Sequence, residues 1–142
     1  AELEGSYQTG KWNFSANYTY TNGSIRAAYD GTGAPIGKDT SYFNLYRIPK
    51  HTIFGEVGYR LNKAIYIQMQ MRYLGAREEF IYGSSPATMD AYGLIDLYGE
   101  YKFTSQSRLF IDLKNITDTV YEDIRGYNTR RRNFVVGFRF AL

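Results

Sequence analysis

The sequence predicts an all-β fold, an antiparallel β-barrel that crosses a membrane with its strands. Three observations lead to this prediction. Apolar and polar residues alternate with a period of two along most of the 142 residues, which is typical of strands with one apolar and one polar face. Tyr and Phe are abundant and only three Pro occur, which favours strands over helices. The connections between the alternating stretches are short and long in turn.

Seven stretches of the chain alternate in this way. They are residues 2–8, 12–21, 51–61, 65–73, 95–103, 109–114 and 133–142. Short turns join six of them in pairs. Thr9 and Gly10 connect the first stretch to the second, Asn62 and Lys63 connect the third to the fourth, and residues 104–107 connect the fifth to the sixth. Gly and Asn at such positions are typical turn residues. The sequence therefore predicts seven antiparallel strands.

The other three connections are long and comprise residues 22–49, 77–91 and 122–132. Short turns at one end and long loops at the other are typical of outer-membrane barrels, whose turns lie on the periplasmic side. A strand of ten residues tilted by about 45° rises about 23 Å, close to the height of the apolar band of such barrels. Aromatic residues also cluster near strand ends, as in the interfacial girdles of these proteins.

Two alternatives remain open at this point. A soluble β-sandwich that serves as a binding module also alternates, although long apolar rows rich in Tyr and Phe favour the membrane barrel. Seven strands would leave an unpaired edge in lipid, so we expect residues 1–142 to be the C-terminal part of a larger barrel. An eighth strand within residues 24–46 would instead close a small barrel with a structural or adhesin role. The Gly and Pro residues of that segment favour a loop.

Composition excludes several other classes of protein. The net charge of +3 is spread along the chain except at residues 130–132, which is too diffuse for a nucleic-acid interface. No apolar run reaches the length of a transmembrane helix. The one histidine, His51, stands at a strand start without a nucleophilic or metal-ligating partner set, so we expect no catalytic residues, no metal site and no enzymatic activity.

Charged residues on the polar rows are candidates for the barrel interior. Lone charges away from bulk water are costly, so we expect them to form a cross-strand network or to brace an internal domain more often than to line a substrate path. These lumen-lining candidates are Glu56, Arg72, Asp96, Glu100, Asp112 and Arg139.

Residues on the long loops are the ligand-binding candidates. Arg125, Tyr127 and Arg130 combine guanidinium groups with an aromatic ring, a set that binds anions bidentately and stacks on planar ligands. Tyr82, on the loop before it, is a weaker candidate. Contact with lipopolysaccharide phosphate at the outer leaflet is the competing interpretation.

The last third of the chain carries a more specific pattern. Asn115, Ile116, Thr117 and Asp118, with Tyr121 shortly after, form an Asn-Leu-Phe-Asp-like turn; a loop with Gly126 and Tyr127 and an Arg-aromatic entry into the last strand follow. RYLGAREEF and YGLIDLYGEYKFT lie upstream, at residues 72–80 and 92–104. This arrangement resembles the end of TonB-dependent outer-membrane receptors.

The resemblance implies a function as well as a fold. It implies a 22-stranded, multi-pass barrel in the bacterial outer membrane, plugged by an N-terminal domain that is absent from this sequence and that contacts the TonB complex. Such receptors take up scarce nutrients at the expense of the proton-motive force, most commonly ferric siderophores and also cobalamin or haem. The resemblance implies no cofactor, a small nutrient ligand such as an iron chelate, and contact with outer-membrane lipid and lipopolysaccharide.

Overall fold

The computed structural model describes residues 1–23, 25–29, 35–42, 46–79 and 87–141. The described residues contain only β-strands as regular structure. The strands are β1 (Glu2–Thr9), β2 (Trp12–Tyr20), β3 (Ile25–Tyr29), β4 (Pro35–Tyr42), β5 (His51–Arg60), β6 (Ile65–Leu74), β7 (Arg77–Glu79), β8 (Ala87–Met89), β9 (Tyr92–Lys102), β10 (Ser107–Lys114) and β11 (Asn133–Phe140). Within these residues, no helix is long and apolar enough to cross a membrane.

Seven of the strands form one antiparallel sheet in the order β1-β2-β5-β6-β9-β10-β11. Each of these seven strands pairs with the next of the seven along the chain, so the sheet is an up-and-down meander. The bounds of these strands differ from the predicted ones by at most three residues. The prediction of seven antiparallel strands is therefore confirmed.

Strand register separates apolar from polar residues across the whole sheet. One row of directly opposed residues crosses all seven strands and is apolar throughout: Tyr7, Phe14, Val57, Met69, Leu97, Leu113 and Phe134. The neighbouring row on the other face is polar from β1 to β9: Ser6, Ser15, Glu56, Gln70 and Asp96. Because successive side chains point to opposite faces of a strand, the sheet has one apolar and one polar face.

The apolar face is not covered by other described residues. Tyr7 is 65% exposed and Phe134 69% exposed, and the buried hydrophobic residues among those described are only Met89, Tyr92 and Leu94. A soluble sandwich buries its apolar face against a second sheet. This single-layered sheet lacks such a partner within the described residues, so the structure favours the membrane barrel over the sandwich.

The long connections contain strands that the sequence analysis did not predict. β3 and β4 pair with each other in a separate hairpin, so the prediction of a plain loop in residues 22–49 was wrong. Their hairpin does not extend the seven-stranded sheet, and so the alternative of an eighth barrel strand is not found among the described residues either. Pro35 is the first residue of β4, a position where the missing N–H of proline is tolerated.

The second long connection contains a smaller hairpin. β7 pairs with β8, with Arg77 opposite Met89 and Glu79 opposite Ala87. This two-stranded piece lies next to the end of the main sheet and contributes Met89 to the buried residues.

Each short turn is stabilised by its own residues. Gly10 adopts a positive φ of 54° in the β1–β2 turn, which favours glycine. The Asn62 side-chain oxygen accepts hydrogen bonds from the backbone N–H groups of Ala64 and Ile65, at 2.8 and 2.9 Å. The Thr104 hydroxyl accepts from Gln106 and Ser107 in the same way. Local turn chemistry thus helps to set the register of all three hairpins.

Gly137 on β11 is a testable point of close packing. A Cβ atom at this position would overlap the ring of Phe110 on β10. We expect Gly137→Ala to destabilise the protein by about 1–3 kcal/mol, as overpacking does, measured as the urea unfolding midpoint in detergent micelles.

A matched control is available on β9, the other neighbour of β10. A Cβ at Gly99 would meet only Ile111 Cγ2 at 3.5 Å, so Gly99→Ala should leave the midpoint nearly unchanged. Adding Phe110→Leu to Gly137→Ala should recover part of the loss, and equal midpoints for the two single variants would contradict this account.

Candidate functional site

The three long connections lie at one end of the sheet, and two of them are joined by an ion pair. Arg47, before β5, donates from Nε to both carboxylate oxygens of Glu79 at 2.7 and 2.9 Å. The Arg47 backbone N–H also donates to the carbonyl of Glu78 at 2.8 Å. Glu79 is buried, and both of its carboxylate oxygens accept from this arginine. The first and second connections are therefore held together.

A second arginine joins the second connection to the third. Arg77 is only 4% exposed, and its Nη2 donates to the backbone carbonyls of Glu122 and Asp123 at 2.6 and 3.1 Å. Its guanidinium carbon lies 5.5 Å from the centre of the Tyr92 ring, within the range of a cation–π contact. The Tyr92 hydroxyl donates to the carboxylate of Asp123.

These residues form one structural unit. We call Arg47, Arg77, Glu79, Tyr92 and Asp123 the loop junction. It connects all three long loops at the end of the sheet opposite to the short turns. Arg77, Glu79 and Tyr92 are buried, whereas Arg47 and Asp123 are exposed.

The third loop begins with a turn built around Asn115. This residue is buried and has a positive φ of 51°, which asparagine tolerates better than most residues. Its side-chain oxygen accepts from the N–H of Thr119 at 2.9 Å, and its Nδ2 donates to the Thr119 carbonyl at 2.9 Å. Its own N–H donates to Asp96 at 2.8 Å. Asn115 thus closes the turn and ties it to the polar face.

A further ion pair brings the two ends of the third loop together. Arg131 donates to both oxygens of the Asp118 carboxylate at 3.0 and 2.8 Å, and the Arg132 backbone N–H donates to the same carboxylate at 3.0 Å. These hydrogen bonds hold the pKa of Asp118 below its usual value. The bond from the Arg131 side chain has the largest effect, and the bond from the Arg132 backbone has the next largest. A carboxylate stabilised in its charged form has such a lowered pKa.

The third loop borders a cleft of about 310 Å³ together with β8 and the start of β9. Two aromatic residues, Tyr92 and Tyr121, contribute to its walls, and their ring centres are 4.5 Å apart. Arg125 supplies a positive charge at this cleft, and Asp90 and Glu122 supply negative ones. The cleft therefore presents aromatic surface beside charges of both signs.

The predicted ligand-binding residues lie as follows. Arg125 lines the cleft and is exposed. Tyr127 is 69% exposed, and Arg130 is exposed. The side chains of Arg125 and Arg130 make no hydrogen bond or ion pair with any residue that the structure describes. Tyr82 lies outside the described residues.

The predicted lumen-lining residues share the polar face, and four of them have charged partners or hydrogen bonds there. Glu100 pairs with Arg108 at 3.2 Å and accepts from the Tyr98 hydroxyl at 2.9 Å. Glu56 accepts from the Gln70 amide at 3.3 Å. Lys114 Nζ lies 3.1 Å from both Asp96 and Asp112. Its approach to Asp112 Oδ1 is an ion pair with poor hydrogen-bond geometry, since that buried oxygen has no hydrogen-bond partner among the described residues.

Two further arginines of this set are unpaired. Arg72 and Arg139 make no hydrogen bond or ion pair with any described residue. Arg72 lines a cleft of about 300 Å³ on the polar face, together with Asp96 and Lys114. Arg139 lies opposite Arg108 in the register of β10 and β11. Among the described residues, no group of three or more His, Asp and Glu could hold a metal ion.

Comparison with known proteins gives the family. The family model described as TonB dependent receptor-like, beta-barrel matches residues 1–116. This chain belongs to the TonB-dependent receptor β-barrel family. The family resemblance predicted from the sequence is thereby confirmed. No curated protein matches the sequence.

Solved receptor barrels have the same arrangement of strands. The ferripyoverdine receptor of the Pseudomonas aeruginosa outer membrane matches with a TM-score of 0.72 and 19% identity, over 98% of this chain and 19% of its own. The Escherichia coli K12 ferric-catecholate import receptor Fiu, in its closed form, gives 0.73 and 20% identity, over 98% and 20%. The siderophore receptor PiuA from Acinetobacter baumannii gives 0.71 and 21% identity, over 98% and 21%.

These likenesses show the fold. The receptor barrel segment described here spans about a fifth of the length of those structures. Its antiparallel seven-stranded sheet corresponds to part of their barrels, which confirms the predicted fold class. The similar proteins are receptors rather than enzymes.

Sequence analysis of this receptor segment missed the loop junction. Arg77 and Glu79 stand in RYLGAREEF, where charged residues in a predicted loop are normally solvated. Only their alternation, with one residue between them, indicated that both lie on one face of a short strand. Nothing in the sequence indicated that Arg47 or Asp123 would meet them.

The lowered pKa of Asp118 makes the third loop of the receptor sensitive to acid. A depressed carboxyl pKa stabilises the loop fully above the ordinary Asp pKa of about 3.9, and this contribution is lost as the pH falls through the lowered pKa. We expect protection of the Arg132 amide against hydrogen exchange, corrected for intrinsic rates, to persist below pH ~3.9 and then to disappear.

Variants separate the two partners of this pair. Arg131→Gln removes the first cause of the shift, so loss of protection should move to higher pH. Asp118→Asn removes the titrating group, and protection should then lose this pH dependence. An unchanged profile in Arg131→Gln would contradict the assignment.

Proposed function

We propose that this chain is the C-terminal part of the barrel of an outer-membrane active-transport receptor that takes up a ferric siderophore. The observation that carries the proposal is the seven-stranded sheet with an uncovered apolar face, a polar face rich in charged residues, and all long loops at one end. A lipid-facing row of apolar residues and a polar interior are what a transmembrane barrel requires.

The loop end supplies the proposed ligand-binding surface. Arg125 and Arg130 are exposed guanidinium groups without partners among the described residues, and Tyr127 is an exposed aromatic ring close to them in sequence. Iron chelates of the siderophore class combine anionic oxygen ligands with planar groups, which such side chains bind by charge-assisted hydrogen bonds and stacking. Two of the structurally similar proteins are siderophore receptors and a third is a ferric-catecholate import receptor, which supports this ligand class.

The polar face supplies the proposed barrel interior. Ion pairs between neighbouring strands, such as Lys114 with Asp96 and Arg108 with Glu100, stiffen the wall. Arg72 and Arg139 are unpaired within the described residues and are the proposed contacts to an internal plug domain or to passing substrate. By this proposal the plug and the segment that binds the TonB complex belong to the N-terminal part of the protein, and TonB provides the energy for uptake. Membrane lipid and lipopolysaccharide surround the apolar face.

Uptake of iron from defined chelates tests the proposal. A strain without its own siderophore receptors would express the full-length protein and be offered ⁵⁵Fe bound to a pyoverdine, a catecholate or a hydroxamate siderophore. We expect TonB-dependent accumulation with at least one of them. The Arg125→Ala/Arg130→Ala double variant should raise the half-saturation concentration about tenfold or more, since each charged hydrogen bond contributes about 1.5–3 kcal/mol.

The control variant is Lys63→Ala. Lys63 is an exposed cation in the short β5–β6 turn, at the opposite end of the sheet, and its loss should leave uptake unchanged. Absence of iron accumulation from all three chelates would refute the siderophore function, and normal uptake by the double arginine variant would remove these two residues from the ligand site.

A further inference from the structure

The segment that contains the proposed ligand-binding residues is attached to the loop junction through hydrogen bonds from Arg77. Residues 122 and 123 provide the two carbonyls that Arg77 binds, and Arg125 and Tyr127 follow directly. These contacts are made to the main chain, so they fix the path of the backbone whatever rotamers the neighbouring side chains adopt. Arg77 therefore fixes the position of the loop backbone at residues 122 and 123.

The segment is closed on itself as well. The Thr129 hydroxyl donates to the Tyr121 carbonyl at 2.5 Å, and the Glu122 carboxylate accepts from the Gly126 N–H at 3.2 Å. The Tyr127 N–H donates to the Ile124 carbonyl at 3.1 Å. Gly126 has a positive φ of 79°, which glycine adopts readily. Residues 121–129 thus form a compact turn whose two ends are hydrogen-bonded to each other. Arg77 binds the backbone of this turn, and Tyr92 binds its Asp123 carboxylate.

The burial of Arg77 and its contacts indicate that it holds the backbone of this turn. It is buried, and burial of a charge is costly unless its donors are used. Its Nη2 donates to the carbonyls of Glu122 and Asp123, and its guanidinium carbon lies 5.5 Å from the centre of the Tyr92 ring. The buried Nη1 has no hydrogen-bond partner among the described residues. A guanidinium group can donate from one terminal nitrogen while its central carbon lies over a ring, whereas the ammonium of a lysine has all its donors and its charge on one atom.

We infer that Arg77 and Tyr92 are positioning residues that hold residues 121–129 as a preformed recognition turn, so that Arg125 and Tyr127 are presented to ligand without first having to order. The ligand in this inference rests on the proposed function, whereas the preformed turn does not. Through Glu79 the same junction also binds Arg47, the residue of the first long connection nearest to it.

A preformed turn binds more tightly than one that must order, since ordering of a loop on binding reduces affinity. Release of the turn should therefore weaken ligand binding without changing the steps after binding. It should also expose the Arg125 and Arg130 peptide bonds to proteases, because proteolysis requires local opening of the backbone.

Trypsin cleavage measures this opening without any ligand. The full-length protein, purified in detergent, would be digested as wild type and as Arg77→Lys, Arg77→Gln and Tyr92→Phe, with cleavage after Arg125 and Arg130 followed by mass spectrometry. We expect cleavage to be about tenfold to a hundredfold faster in the Arg77 variants and a few-fold faster in Tyr92→Phe, as loss of two or one buried hydrogen bonds implies. Lysine should not rescue the loss.

Arg108→Gln is the matched control. Arg108 is likewise an arginine with a hydrogen-bond acceptor, the Glu100 carboxylate at 3.2 Å, but it lies near the short-turn end of β10. Its loss should leave cleavage after Arg125 and Arg130 unchanged. Folding of each barrel is checked by its heat-dependent shift on SDS gels. If the Arg77 variants fail this check, Tyr92→Phe alone decides, since it removes a single hydroxyl and keeps the ring.

Uptake kinetics test the positioning role itself. With a ⁵⁵Fe chelate that the wild type takes up, Arg77→Lys should raise the half-saturation concentration about tenfold and leave the maximal rate unchanged. A fall in the maximal rate alone, or wild-type cleavage in all folded junction variants, would overturn the inference. If no chelate is taken up, the siderophore proposal fails and the trypsin result alone decides whether the turn is preformed.

Discussion

The structure depends on the hydrogen-bonded register of its seven long strands. A shift of one residue in any pair would move every apolar side chain of that strand to the polar face. The observed register instead keeps an unbroken apolar row from Tyr7 to Phe134 and a polar row from Ser6 to Asp96 beside it. In lipid the penalty for a slip is large on both faces, since charges would meet hydrocarbon and apolar side chains would meet the interior.

Given this register, the remaining features of the wall serve to fill and neutralise the polar face. Phe110 occupies the space that the missing side chain of Gly137 leaves, and its ring stacks on Tyr98 at 6.1 Å. Lys114 lies between two aspartates. Individually, such partly exposed ion pairs contribute little to stability. Their larger effect is on specificity, because the contacts of Glu56 with Gln70, Asp96 with Lys114 and Glu100 with Arg108 join neighbouring strands and depend on the observed register.

The loop end follows a different principle. The wall is built from regular backbone pairing, whereas the loops are held by a few buried polar side chains, above all Arg77 and Glu79. Such contacts fix long connections without a hydrophobic core of their own, and they leave the exposed side chains of the third loop available for recognition. Rigid strands that carry loops with fixed stems suit the ligand binding and transport that we propose for the receptor.

The sequence by itself determined the strands, their pairing and the two faces, because period-two alternation and short turns are local signals that need no knowledge of distant residues. It also indicated the family, through the turn at Asn115 and the loop after it. Only the tertiary structure decided the contents of the long connections and the loop junction. Arg47, Arg77 and Asp123 are far apart in sequence and meet because the register brings three strand ends to one edge. A buried arginine bound to main-chain carbonyls leaves no sequence pattern, since any residues at positions 122 and 123 would provide the same acceptors.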